Sequence, residues 1–72
     1  MTTWNYRVEH RIYAPWDEHQ YVIVEVYYED DEIVARSIDS ISPMGETLEE
    51  LRNDLTRMLE ALDRDTLEPE DE

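Results

Sequence analysis

Few side chains in this sequence are of the types that most often carry chemistry. There are two histidines, His10 and His19, and no cysteine, and no HxH, HExxH or two-histidine-one-carboxylate spacing of the kind that metal sites use. The serines Ser37, Ser40 and Ser42 belong to no GxSxG turn. We therefore expect no catalytic residue and no metal site.

Glycine and carboxylate patterns add no cofactor site. Gly45 is the single glycine, whereas Walker and dinucleotide-binding loops need several. The acidic run Glu29 to Glu32 is four residues long, and an EF-hand spaces its ligands over about twelve. The sequence predicts a protein that is not an enzyme and binds no cofactor.

Charge is the dominant property of the composition. The 72 residues include 20 acids against six basic residues, all of them arginine, which gives a net charge of −14. Direct binding to nucleic-acid backbones or anionic membranes is therefore not expected. The acidity indicates a basic protein partner, adaptation to a salty cytoplasm or a GC-rich genome, or solubility alone.

The chain is predicted to be a single small cytoplasmic domain. No apolar run approaches the roughly 18 to 20 residues that cross a bilayer, and residues 1–5 lack signal-peptide features. A domain of this size buries a thin core, and without cysteine no disulfide supports it. We expect self-association, as a homodimer, to add stability.

Three segments show strand patterns and one shows a helix pattern. Strands are predicted at Trp4 to Ile12, Tyr21 to Tyr28 and Ile33 to Ile38, joined by a loop at 13–20 and a turn at 29–32. These lengths favour an antiparallel meander. With the helix that follows, the prediction is an α+β domain of β-β-β-α order over residues 1–64, with one C-terminal helix packed on one face of the sheet.

The helix is predicted to start at Thr47, where Thr47 and Glu50 match a capping box. Acids on its outer face include Asp54. Residues 65–72 read as a disordered acidic tail, in which Leu67 alone could dock. The residues predicted to form one apolar stripe against the sheet are Leu48, Leu51, Leu55, Met58, Leu59 and Leu62.

One helix covers one face of a three-stranded sheet, so the other face should be open. In the second strand the more apolar set faces the helix under this interpretation; it comprises Val22, Val24, Val26 and Tyr28. The first strand would contribute Trp4, Tyr6, Val8 and Ile12. The open face is then rich in Tyr and Arg, as interface cores are, with Glu25 paired to an arginine such as Arg36. The candidate partner-binding residues are Arg7, Arg11, Tyr21, Ile23, Glu25, Tyr27, Val34, Arg36 and Ile38 on that face, with Glu49, Glu50 and Asp54 on the helix.

Three motifs carry a family resemblance. The runs WNYRV at 4–8, EVYY at 25–28 and SPMGETLEELR at 42–52 resemble a family of uncharacterised small bacterial proteins, and the element order is similar to that of HicB-type antitoxin domains. The resemblance implies a non-enzymatic module that binds a small basic RNase toxin. The sequence departs from it at Glu29 to Glu32, where the family has a glycine-containing turn, and around Pro15.

Two functional hypotheses follow. The first is an acidic, antitoxin-like interaction module that binds a basic protein or self-associates through the open sheet face. The alternative is a phage-type inhibitor of the anti-CRISPR kind, in which acids imitate phosphates and the partner is a nucleic-acid-binding complex.

Overall fold

The computed structural model describes residues 1–69. β1 (Thr2–Tyr13), β2 (Glu18–Glu29) and β3 (Glu32–Arg36) form an antiparallel sheet in the order β1-β2-β3, and α1 (Leu48–Ala61) follows. The predicted α+β class and β-β-β-α order are confirmed. In the described part of the chain no helix is long and apolar enough to span a membrane.

The first hairpin is longer than its apolar pattern indicated. Pairing continues to Tyr13 and Glu18, so the connection is a turn at 14–17 instead of a loop at 13–20. Polar residues such as Gln20 pair as well as apolar ones because the ladder uses backbone groups. The hairpin thus extends well past the residues that the helix covers.

The second hairpin turns on two aspartates. Asp30 and Asp31 separate the paired residues Glu29 and Glu32, and their φ angles are 51° and 68°. Two central residues with positive φ define a type I′ turn, whose right-handed twist suits a two-residue hairpin. Aspartate tolerates this conformation better than most residues, but it retains a Cβ that glycine lacks.

Replacing Asp31 with glycine is expected to raise the free energy of unfolding by about 1 kcal/mol, because glycine adopts positive φ without a steric cost. Urea denaturation would measure the change. Asp31→Ala removes the same charge and keeps a Cβ, so it should lower stability. Equal shifts in the two variants would attribute the effect to charge instead of backbone conformation.

The start of α1 is close to the predicted capping box. The Glu50 N–H donates to Thr47 Oγ1 at 3.1 Å, as expected. The Glu50 carboxylate, however, accepts from the Glu46 N–H at 3.1 Å. The helix entrance is therefore tied down at two backbone positions.

Gly45 lies directly against this entrance. A Cβ at Gly45 would collide with Leu51 N and would stand 2.7 Å from the Glu50 carbonyl carbon, and both are backbone atoms. The close approach lets the segment after β3 turn tightly into the helix.

Gly45→Ala is expected to lower the free energy of unfolding by about 1 to 3 kcal/mol, the usual cost of overpacking. Ser42→Ala, in the same exposed segment, is the matched control and should change little. Thermal or urea unfolding would measure both variants. An unchanged Gly45→Ala midpoint would contradict the close approach.

The register corrects the predicted face of β2. Tyr6 lies opposite Glu25 and Val8 opposite Ile23, and directly opposed residues share a face. Since Tyr6 and Val8 form the core with Met58 and Ala61, the odd-numbered residues of β2 face the helix. The residues predicted on the open face that instead lie on the helix side are Tyr21, Ile23, Glu25 and Tyr27.

The turn length explains this error. Paired positions in β1 and β2 sum to 31, an odd number, because the turn contains four residues. Even-numbered residues of β1 therefore share a face with odd-numbered residues of β2. Apolarity alone placed Val24 and Val26 under the helix, but they lie on the opposite face, where both are fully buried.

Residues 65–69 form a strap along the outer edge of β1. The His10 N–H donates to the Leu67 carbonyl at 2.9 Å, and the Leu67 N–H donates to the Val8 carbonyl at 2.8 Å. Arg7 also donates to the Asp65 carbonyl, at 2.6 Å from Nη2. Leu67 is docked, while the part of the predicted tail at 70–72 lies outside the described residues.

Candidate interaction surface

The side of α1 that faces the sheet differs from the side that the leucine pattern predicted. Its buried residues are Asp54, Met58 and Ala61. The predicted stripe is wrong for four of its six members, whose exposed fractions are large: Leu48 84%, Leu55 48%, Leu59 66% and Leu62 63%. We call these four residues the leucine stripe.

The leucine stripe follows one flank of α1 and ends at Leu62, the helical C-cap residue directly after Ala61. At 100° per residue the four leucines fall within about 60° of arc, centred roughly 100° from the buried side. Arg57, Glu60 and Arg64 occupy the opposite flank, where they border Trp4 in a shallow cleft. The apolar side of the helix therefore faces away from its charged side and is open to solvent.

A buried polar contact accounts for this rotation. The Tyr6 hydroxyl donates to Asp54 Oδ1 at 2.5 Å, and the Met44 N–H donates to Asp54 Oδ2 at 3.0 Å. A buried carboxylate without such partners would be costly. When Asp54 faces Tyr6, the four leucines cannot also face the sheet. The prediction that Asp54 lies on the outer face of the helix is therefore wrong.

These contacts shift the ionisation of both groups. The hydrogen bond from Tyr6, followed by that from the Met44 amide, holds the pKa of Asp54 below its usual value. Burial, followed by the hydrogen bond to Asp54, raises the pKa of Tyr6 to about 12. The pair therefore favours a charged Asp54 and a neutral Tyr6.

Tyr6→Phe is expected to lower the free energy of unfolding by about 1 to 3 kcal/mol at neutral pH, because it leaves a buried acceptor without a partner. In the parent chain, stability should also fall as pH rises from about 10 to about 12, because Tyr6 ionises first in the unfolded state.

Urea titrations at several pH values would measure both effects. The alkaline loss attributable to Tyr6 should be absent from Tyr6→Phe. At the acid end, the contribution of Asp54 is present above its ordinary pKa and is lost as pH falls through its lower folded value. Tyr13→Phe is the matched control, since Tyr13 is exposed at the hairpin end. A Tyr6→Phe curve parallel to the parent curve would contradict the pairing.

The arginines predicted on the open face, Arg7, Arg11 and Arg36, do lie there, but each is bonded to another side chain. Glu9 bridges two of them, with Oε1 2.6 Å from Arg11 Nε and Oε2 2.9 Å from Arg36 Nη1. Arg7 donates to the Tyr28 hydroxyl at 2.8 Å. The predicted pairing of Arg36 with Glu25 is wrong, because Glu25 lies on the other face.

These side chains cover the buried valines. Arg36 lies opposite Val26 and Glu9 lies opposite Val22, on the two strands flanking β2. Their ion pair therefore crosses above Val24, and the side-chain stems replace the missing second layer. The open face is covered by its own charged residues, and two tyrosines predicted to lie on it, Tyr21 and Tyr27, lie on the helix side instead.

The remaining predicted partner-binding residues are dispersed. Val34 lies at the bulge of β3 and Ile38 lies beyond its end, and both are exposed. Glu49 is exposed on the first turn of α1, and the Glu50 carboxylate accepts the Glu46 amide. The structure therefore does not gather the predicted set into one patch.

One signal could have revealed the leucine stripe. Leu51, Asp54, Met58 and Ala61 also recur at three- and four-residue steps, which makes a second core stripe available on the same helix. Its polar member requires a buried partner, and Tyr6 is 48 residues away in the sequence. Sequence spacing alone favours the richer leucine pattern.

Within residues 1–69, no group of three or more His, Cys, Asp or Glu side chains is arranged to hold a metal ion. Comparisons with models of protein families, with characterised proteins and with solved structures returned no match to this chain. The resemblance to HicB-type antitoxins therefore remains a prediction from sequence motifs.

Proposed function

We propose that this chain is a non-enzymatic protein-interaction module that binds a basic protein partner through the leucine stripe of α1. The observation that supports this most directly is the exposure of all four leucines on one flank of a regular helix. Contiguous exposed apolar surface on a soluble domain is typical of binding sites. The antitoxin-like role suggested by the sequence motifs is one form of this function.

The size of the stripe suits a helix-mediated contact. From Leu48 to Leu62 the helix axis rises about 21 Å. Burying one leucine completely is worth roughly 1.5 to 3 kcal/mol. Four leucines can offset part of the cost of association, and a groove or helix of matching length would supply the complementary surface.

Charge supplies the second component of recognition. The nearest charged neighbours of the stripe on its outward side are Arg52 and Asp63, which balance each other. The net charge of −14 is distributed over the rest of the molecule. A basic partner would be attracted at long range and then held by apolar contact, so its affinity should fall as salt increases.

Self-association through the same stripe is the second candidate function. The small core favours it, since the buried apolar residues are limited to Tyr6, Val8, Val24, Val26, Met58 and Ala61 in the described chain. A dimer would bring two strongly acidic copies together. Its affinity should therefore rise with salt, which is opposite to the response of a complex with a basic partner.

The nucleic-acid mimic is less well supported. Such a mimic would use acids spread over one surface, whereas the open sheet face combines Glu9 with the arginines Arg7, Arg11 and Arg36. The outward helix surface likewise alternates acids with arginines. Competition with a nucleic-acid-binding complex is the readout for this alternative.

Leu55→Ser/Leu59→Ser is expected to weaken partner binding at least tenfold, since each leucine buried by the partner contributes roughly 1.5 to 3 kcal/mol. Retention of proteins from the host extract at low salt would identify the partner, and calorimetry with the purified partner would measure affinity. The matched control is Val34→Ser/Ile38→Ser, which removes exposed apolar side chains outside the stripe.

Both double variants should keep most of their stability, because the replaced side chains are already exposed. Light scattering across a salt series would separate the two candidate functions. Absence of any partner or dimer that depends on Leu55 and Leu59 would refute the proposed surface.

A further inference from the structure

The two histidines lie side by side in the first hairpin, near its turn at 14–17. His10 in β1 and His19 in β2 are nine residues apart in sequence, and the hairpin brings His10 Nε2 to 2.8 Å from His19 Nδ1. No sequence motif marks the pair, because the two histidines are brought together by the pairing of β1 with β2 and not by their spacing along the chain. Two imidazole nitrogens therefore converge at one point.

A carboxylate sets the proton on His10. Glu68 Oε1 lies 2.7 Å from His10 Nδ1. A carboxylate can only accept, so Nδ1 carries the proton, and in the neutral ring Nε2 retains its lone pair. Metal-binding histidines characteristically donate the N–H of their second ring nitrogen to a carboxylate or another acceptor in this way.

The His10 ring is also held in position by packing. It stacks on Tyr21, with ring centroids 4.4 Å apart and planes 6° from parallel. Its side chain is only 11% exposed. His19 is exposed, and its ring lies edge to edge with that of His10, with the centroids 5.0 Å apart and the planes 26° from parallel. The His10 ring is thus fixed, while the exposed His19 ring can rotate.

We propose that His10 Nε2 and His19 Nδ1 form a two-histidine site for a borderline divalent transition metal, Ni²⁺, Cu²⁺ or Zn²⁺, with water as the remaining ligands. Two nitrogens bound to one ion at about 2.0 to 2.1 Å lie roughly 3.3 Å apart in the tetrahedral geometry of Zn²⁺, and roughly 2.9 Å apart as neighbours in the square-planar geometry typical of Cu²⁺ and Ni²⁺. Because the two nitrogens face each other in a hydrogen bond, binding requires the exposed His19 ring to swing aside until both lone pairs point at the ion. The proton of His19 then resides on Nε2, so two neutral rings bind without net proton release.

Imidazole ligands distinguish this site from the acidic surface. Ca²⁺ and Mg²⁺ prefer oxygen ligands, which are plentiful elsewhere on a chain of charge −14. Ni²⁺, Cu²⁺ and Zn²⁺ favour imidazole. The metal would also polarise the His10 ring and strengthen its bond to Glu68, which belongs to the strap at 65–69.

Calorimetric titration of the tag-free chain with NiCl₂ at pH 7.5, in a non-coordinating buffer, tests the proposal. We expect one equivalent to bind, unaffected by a large excess of Ca²⁺. His19→Asn should weaken binding at least tenfold, and Glu68→Gln should weaken it about 10- to 100-fold through the loss of the carboxylate behind His10. The matched control is Glu49→Gln, which removes one exposed acid from α1 and should bind as the parent does.

Two further readouts make the outcome decisive. Substoichiometric Cu²⁺ should broaden the imidazole signals of His10 and His19 first, and bound Ni²⁺ should slow hydrogen exchange of the Leu67 amide. Equal Ni²⁺ affinity in the parent chain and His19→Asn would overturn the site. Displacement of Ni²⁺ by Ca²⁺ would likewise overturn it, because it would assign the binding to surface carboxylates.

Discussion

The hydrogen bond between Tyr6 and Asp54 is the constraint on which the arrangement of the molecule depends. It joins the middle of β1 to the middle of α1, and Asp54 also accepts the Met44 amide just before the helix. A charged group in this position requires both partners, which limits the helix to a narrow range of rotations. The choice of a polar anchor over four leucines is what leaves an apolar flank in solvent.

The face of the sheet away from the helix also has apolar residues that must be covered. One helix cannot cover both sides, and yet Val24 and Val26 are completely buried. Glu9 and the arginines on either side of it close over the valines by joining across β2. Charged side chains here act partly as apolar cover, because their long stems pack while their ends pair. The same pairing gives two of the three arginines on this face, Arg11 and Arg36, a structural role.

Local patterns were sufficient to predict the elements and their order, because strand alternation, turn chemistry and the Thr47 cap each operate over a few residues. Local patterns could not predict two features. The face of β2 depends on the number of residues in the turn at 14–17, and the rotation of α1 depends on a partner for Asp54 that is 48 residues away. The histidine pair was missed for a similar reason, since hairpin register brings His10 and His19 together. Arg7, Arg11 and Arg36 were placed on the correct face because alternation within one strand is a local property.

The strap at 65–69 has a consequence for how neighbouring molecules meet. β1 is twelve residues long and forms one edge of the sheet, so its outward backbone groups could template pairing with a strand from another copy. Leu67 occupies the middle of that edge with two hydrogen bonds. Closing the chain over nearly sixty residues carries a loop-entropy cost, so the strap is a segment that can open before the rest of the fold. Each opening would uncover a potential site of aggregation, and the mutual repulsion of strongly acidic molecules would then be what keeps the exposed edges apart.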